Sequence, residues 1–175
     1  SYVAKSFGYP VFNADQEVAK LYKKNKKIFI KLKKILPKHI HIFPIDKKEI
    51  SNAILSDKNN LAKIIKVVHL EVRKKMNIFL HKNKKKKIVI LDIPLLLENK
   101  INNKKDILIF VDSKKSEILK KLKKRKNFNQ KILKKFKDIQ LPINYKKKKS
   151  QFVIKNNFTK KSVSDGIKNI LKEFI

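Results

Sequence analysis

The chain has no cysteine and no tryptophan, one methionine and, in 175 residues, two glycines. Without cysteine, disulfide staples and thiolate metal sites are excluded. Gly8 and Gly166 stand far apart, so no glycine-rich loop of the phosphate-cradling kind lies within these residues. Long apolar runs are missing as well. The longest, such as 88–91 and 107–111, have strand length, and no stretch reads as a membrane span or a signal peptide. A cytoplasmic protein without membrane association is the expectation. Acidic residues are scarce, with 14 Asp+Glu against 47 Lys+Arg and a formal net charge of +33. Arginine is scarcer still: only Arg73 and Arg125 occur. Nucleic-acid recognition usually recruits arginine forks and interleaved aromatics, and the lysine here is spread evenly rather than striped. The excess therefore reads as compositional drift toward Lys, Ile and Asn more than as a polyanion site, although it draws anionic substrates in either case.

The 42% apolar fraction and the length suit one compact α/β domain with small inserted lobes. Val11-Phe12 begins a short extended segment, and Asp15 sits where it gives way to a helix through Val18 and Leu21. A helix over about 26–36 is ended by Pro37. Asp46 and Glu49 read as a capping pair for a helix through Ile50, Ala53 and Ile54. Asp57 opens a long helix reaching about His81, with Leu61, Ile64, Val68, Val72 and Met76 on its apolar side. Residues 88–91 and 107–111 are apolar at every position, which suits parallel strands covered on both faces. Ser113 is expected to cap a helix with Ile118 and Leu122, and Asn129 one with Ile132 and Phe136. A last strand over 152–154 precedes a helix opened by Thr159 or Ser162. Strands alternating with helices imply a parallel sheet with helical crossovers. The purely helical stretch from about 26 to 84 is too long for one crossover and reads as an inserted lobe.

Two carboxylates attract attention. Asp15 follows a strand's C-terminal end, where ligands of open parallel sheets bind. It suits proton acceptance from a hydroxyl, a hold on Mg²⁺, or simple capping of the helix. Asp92 ends the apolar strand of Ile90-Leu91-Asp92-Ile93-Pro94-Leu95-Leu96-Leu97-Glu98-Asn99, followed by what reads as a short apolar helix. It suits a phosphate-side carboxylate or a turn residue.

The segment V-F-N-A-D-Q-E-V-A at 11–19 resembles the V-I-D-A-D-x-I-A segment of dephospho-coenzyme A kinases, and I-L-D-I-P-L-L-L-E-N at 90–99 resembles that family's internal signature. Four further matches follow in order: Ile54-Leu55-Ser56-Asp57 with Val68-His69-Leu70, Lys124-Arg125, Gln140-Leu141-Pro142, and Val153-Ile154-Lys155-Asn156. The resemblance spans essentially the whole chain. It implies a P-loop NTPase-type parallel sheet flanked by helices, with a nucleotide-binding core over 1–25, 85–112 and 141–175, a helical acceptor-binding lobe over 26–84 and a lid over 113–140. It also implies transfer of the γ-phosphoryl of ATP to the ribose 3′-hydroxyl of dephospho-coenzyme A, with Mg²⁺, in a monomer that binds no specific nucleic acid.

By the same resemblance, Asp15 is the general base beside the acceptor. Asp92 lies on the acceptor, phosphate and Mg²⁺ side, acting through water. Arg125 closes over the triphosphate, Asn156 sits at the adenine end, and His69 faces the acceptor. Ser1 matches the final hydroxyl residue of G-x-x-x-x-G-K-[ST], which binds phosphate and Mg²⁺. The chain is expected to open one residue after that motif's lysine, with the middle of the sheet left open and this chain inactive by itself. Departures from the family pattern are Asn13 for an acid, Leu70 for proline, Lys155 for Asp, and Lys121 where the lid often has a second Arg. The alternatives are another small P-loop kinase, for instance one acting on nucleoside monophosphates, a basic nucleic-acid-binding protein, and an inactive remnant. A nucleoside monophosphate site typically uses several arginines, whereas the 26–84 lobe has only Arg73.

Overall fold

The structure, a computed structural model, describes residues 7–174. It forms two compact units, one of residues 9–94 and 131–138, the other of 95–130 and 139–174 with Phe7 and Gly8. Each holds a parallel pair of strands.

In the first unit, β1 (Val11–Asn13) runs without a loop into α1 (Ala14–Lys24). Asn25 then serves two helices. Its backbone N–H reaches the Leu21 carbonyl at 2.9 Å, closing α1, and its side chain accepts from Ile28 N at 3.1 Å, opening α2 (Lys26–Ile35). Satisfying orphan groups of both helices with one residue makes the corner tight. As expected, α2 stops just before Pro37. Next, α3 (Lys47–Ser56) is capped by Asp46, which accepts from Lys48 N at 2.9 Å. The reciprocal half of the expected capping box does not form. Glu49 instead accepts from His41 N at 3.0 Å, tying down the preceding loop.

The long α4 (Asn60–Lys82) begins beyond Asp57, whose carboxylate accepts from Asn59 N at 2.7 Å in the entering turn. Asn60 is a buried polar residue, and its amide donates to the Ala53 carbonyl at 2.9 Å, at the end of α3. The core packs α4 against α1, α2 and α3, with Ile28, Leu32 and Ile40 fully enclosed. Phe12 faces inward from β1 and meets Phe79 of α4 at 5.6 Å between ring centroids. Burial pushes the Tyr22 phenol up to about 12, so it packs as a neutral group. Strand β2 (Ile90–Asp92) lies parallel to β1 with Val11 beside Ile90, Phe12 beside Leu91 and Asn13 beside Asp92. It starts two residues later than the apolar run suggests. From α6 (Gln130–Asp138), Ile132 and Phe136 pack on this core, and Lys135 Nζ donates to the Ile54 carbonyl at 2.6 Å.

In the second unit, β3 (Ile109–Asp112) pairs in parallel with β4 (Phe152–Lys155), with Val111 beside Ile154 and Asp112 beside Lys155. The unit also holds α5 (Lys115–Lys123), α7 (Ile143–Lys149) and α8 (Lys160–Lys172). Thr159 caps α8 by accepting from Ser162 N at 3.2 Å, one of the two expected starts. Because α8 packs on β4, Ile154 is buried and Phe152 meets Phe174 edge-on at 5.8 Å. The contact depends on Gly166: a Cβ there would stand 2.8 Å from Ile154 Cγ2.

Three expectations fail here. Ser113 caps nothing, since Lys114 precedes α5 with no side-chain cap. The stretch after Pro94 is a chain of turns rather than a helix, because Leu95 and Lys100 adopt positive φ (57° and 49°). Its end has the hydrogen bonds of a Schellman close, from Lys100 N to Leu97 O and from Ile101 N to Leu96 O. Finally, β3 is not covered on both faces. Ile109 and Val111 are 44% and 53% exposed among the described residues.

Candidate active site

The register of β1 and β2 places two polar side chains together at the strands' C-terminal ends. Asn13 Nδ2 donates to Asp92 Oδ2 at 2.8 Å, while Asn13 Oδ1 accepts from Gln16 N at 2.9 Å as the cap of α1. One amide thus joins the first turn of a helix to the carboxylate of the neighbouring strand. An aspartate at 13 would serve the cap equally but would put a second negative charge against Asp92, which raises the cost of ionising either. The departure of Asn13 from the family's acid is thereby accommodated, and the sequence held no sign of its pairing.

Because Asn13 is the cap, Asp15 is not, and the capping alternative for Asp15 falls away. Asp15 is the second residue of α1, exposed, in the first turn. There the unpaired amides of the helix start favour a negative charge. His69 is half-buried on α4, a helix packed against α1. Asp15, Asp92 and His69 all belong to the first unit.

Arg125 and Asn156 belong to the second. Arg125 is exposed in the bend that follows α5. Its N–H donates to the Leu122 carbonyl and its carbonyl accepts from Phe128 N, both at 3.0 Å. Asn156 directly follows β4. Its N–H donates to the Asp112 carbonyl at 2.7 Å, and its Oδ1 accepts from Phe158 N at 2.8 Å, supporting Phe158 at a φ of 65°. Lys121, four residues before Arg125, sets its ammonium 5.0 Å from the Phe158 ring. A lysine can take that place over an aromatic face as well as an arginine. Ser1 lies outside the described residues.

Sequence reasoning missed Glu98 as a working residue. Its side chain is 9% exposed, and Oε1 accepts from Leu141 N at 3.0 Å and from Lys146 Nζ at 3.1 Å. Burial pushes its carboxyl up, but the backbone N–H groups of Glu98 and Leu141 together with the Lys146 ammonium prevail and hold it below the usual range. A lowered carboxyl contributes stability that is complete above about pH 4.3 and is lost as pH falls through the folded value. Glu98→Gln is therefore expected to cost about 1–2 kcal/mol at neutral pH, and the gap from wild type should close on acidification. Urea melts at pH 7 and pH 3 check this; a gap of equal size at both would contradict it.

The sequence pattern of the dephospho-CoA kinase family matches residues 1–162. The chain belongs to the dephospho-CoA kinase family. Among curated family members, dephospho-CoA kinase of Wolbachia pipientis wMel is 33% identical over 95% of this chain and 86% of its own length. That of the Brugia malayi Wolbachia is 32% identical over the same shares. The Bartonella quintana dephospho-CoA kinase is 28% identical over 96% of this chain and 89% of its own. Two solved structures share the fold. A Thermus thermophilus protein superposes with a TM-score of 0.74 at 23% identity, covering 99% of this chain and 89% of its own. A Campylobacter jejuni dephospho-CoA kinase reaches 0.62 at 22% identity, covering 99% and 88%. The fold is thus the P-loop NTPase type expected, with parallel strands flanked by helices. No helix among the described residues is long and apolar enough to cross a membrane.

Proposed function

We propose that the end of the β1·β2 pair is the acceptor side of a kinase that phosphorylates dephospho-CoA to CoA with ATP. The family match over 1–162 carries the reaction, and the paired strand ends with Asp15 in the adjoining first helical turn support the roles. The ribose 3′-hydroxyl oxygen of the acceptor takes the γ-phosphoryl group, the bond from that phosphorus to the bridging oxygen breaks, and ADP leaves. The hydroxyl proton passes to the Asp15 carboxylate. Such transfers have loose transition states, so most of the acceleration comes from positioning and charge neutralisation. Arg125 supplies positive charge to the transferring oxygens from a lid over 113–140. Asn156 lies at the adenine end, and His69 faces the acceptor from a binding lobe over 26–84. The remaining segments form the nucleotide core, to which Ser1 brings the phosphate-binding hydroxyl.

Among the described residues no cluster of three or more His, Cys, Asp and Glu could hold a metal alone. Mg²⁺ keeps several waters and is carried mainly by substrate phosphates with one or two carboxylates. Asp92, its Oδ2 already fixed by Asn13, would take that part through water, with Ser1 as the hydroxyl ligand. The ion would neutralise phosphate charge.

The test is an assay of the complete coding product, including anything encoded upstream of Ser1, with ATP and with dephospho-CoA beside AMP, CMP and UMP as acceptors. Turnover is expected with dephospho-CoA. A folded protein that phosphorylates only a nucleoside monophosphate would overturn the reading.

A further inference from the structure

Residues 113–140 follow β3 and end at Leu141, just before α7; of them, 113–130 and 139–140 belong to the second unit and 131–138 to the first. Each end of the segment, its root, is gripped by a carboxylate paired with α7. At the departing root, Asp112 Oδ2 meets Lys147 Nζ at 2.6 Å, and the same ammonium stands 5.7 Å from the Phe110 ring. At the returning root, Glu98 Oε1 holds the Leu141 N–H at 3.0 Å and Lys146 Nζ at 3.1 Å. Successive helix residues point about 100° apart, so adjacent lysines on one short helix address two different anchors. The helix is closed by Ser150, whose Oγ donates to the Lys146 carbonyl at 2.9 Å, and the next residue is tied to the strand entry, Gln151 Oε1 accepting from Leu108 N at 2.7 Å just ahead of β3.

Ordinary surface ion pairs contribute little. The Glu98 pair differs in kind, because Glu98 is nearly enclosed and shares its oxygen with a backbone amide; the Lys147–Asp112 pair is 37% and 33% exposed and adds an aromatic face to its carboxylate. Charge-assisted bonds of that sort hold geometry as well as adding energy.

We propose that α7 is a clasp that closes the base of the 113–140 segment, with Lys146–Glu98 and Lys147–Asp112 as positioning residues that keep Arg125 where the nucleotide phosphates need it. The inference rests on the reading of 113–140 as the lid. An enzyme whose lid is properly rooted for only a fraction of the time binds ATP with an affinity reduced by that fraction, while residues 131–138 stay held on the first unit by Ile132, Phe136 and Lys135. The expected kinetic mark is therefore a change confined to ATP.

The experiment uses the complete coding product and the variants Lys146→Met, Lys147→Met, Lys146→Arg and Lys147→Arg. Two readouts are taken: amide hydrogen exchange of peptides within 113–129 and within α8, and KM for ATP and for dephospho-CoA. Either methionine variant is expected to speed exchange in 113–129 about tenfold and to raise KM for ATP about tenfold, with KM for dephospho-CoA within about twofold. The arginine variants should restore both. Unchanged exchange in 113–129, or an increase shared equally by α8, would overturn the proposal, the latter by showing a general loss of stability. Arg125→Ala separates the two layers. If it leaves both ATP parameters at wild-type values, the lid reading fails, and the exchange data alone then decide whether the clasp exists.

Discussion

Replacing Asp15 by asparagine is expected to lower kcat for dephospho-CoA phosphorylation by about 10²- to 10⁴-fold. The substitution keeps size and removes the capacity to accept a proton. The cap of α1 survives it. Asp15 is exposed and is not the cap of α1, a task that Asn13 performs. Losing a carboxylate from the first turn costs about 0.3–1 kcal/mol through the helix dipole. A large fall in kcat with a nearly unchanged thermal midpoint therefore identifies a chemical role. If instead kcat stays within a few-fold of wild type, Asp15 is a helix-dipole residue and the proton leaves by another route. The neighbouring change Asn13→Asp is a useful contrast, because it preserves the cap and disturbs Asp92.

The second large effect is expected at Arg125. Its backbone is fixed by bonds to Leu122 and Phe128, and it is exposed just past α5. Alanine there should leave stability within about 0.5 kcal/mol and reduce kcat by about 10²- to 10³-fold, the scale of removing one donor to a developing negative charge. Arg125→Lys should recover only part of that loss, because a point charge replaces a planar fork of donors. Steady-state kinetics with ATP varied at saturating dephospho-CoA measure both. A lysine variant as active as wild type would show that net charge suffices and that no bidentate contact is made. The formal net charge of +33 makes this comparison demanding, since general attraction of phosphate is supplied whatever stands at 125.

The apolar spacing of α2, α4 and α8 was legible in the chain because each helix has a stripe that must be buried, and Pro37 and Thr159 mark boundaries by local chemistry. The strand ends bearing Asn13 and Asp92 were legible as single features. Their pairing was not, since it arises from parallel register between residues 79 positions apart. The turns after Pro94 misled for another reason. Leucines 95–97 carry a helical pattern, but Leu95 at positive φ breaks the spiral, and no glycine announces it. Glu98 looked like the tail of a motif, and only the return of the chain at Leu141 gives its carboxylate work to do. The exposure of Ile109 and Val111 likewise depends on what packs beside β3. For the Asn13–Asp92 pair and for Glu98 the missing information was the identity of a distant neighbour, whereas the cap at Ser113 and the turns at 95–97 departed from local propensity itself.

The contact between α8 and β4 bears on how such a composition arises. Lysine, isoleucine and asparagine accumulate wherever a side chain of any kind can be housed, and most of this surface can house one. Position 166 cannot, because even a methyl group would press on Ile154. A side chain at 166 therefore requires Ile154 in the strand beneath it to shift, so geometry rather than composition sets the residue there.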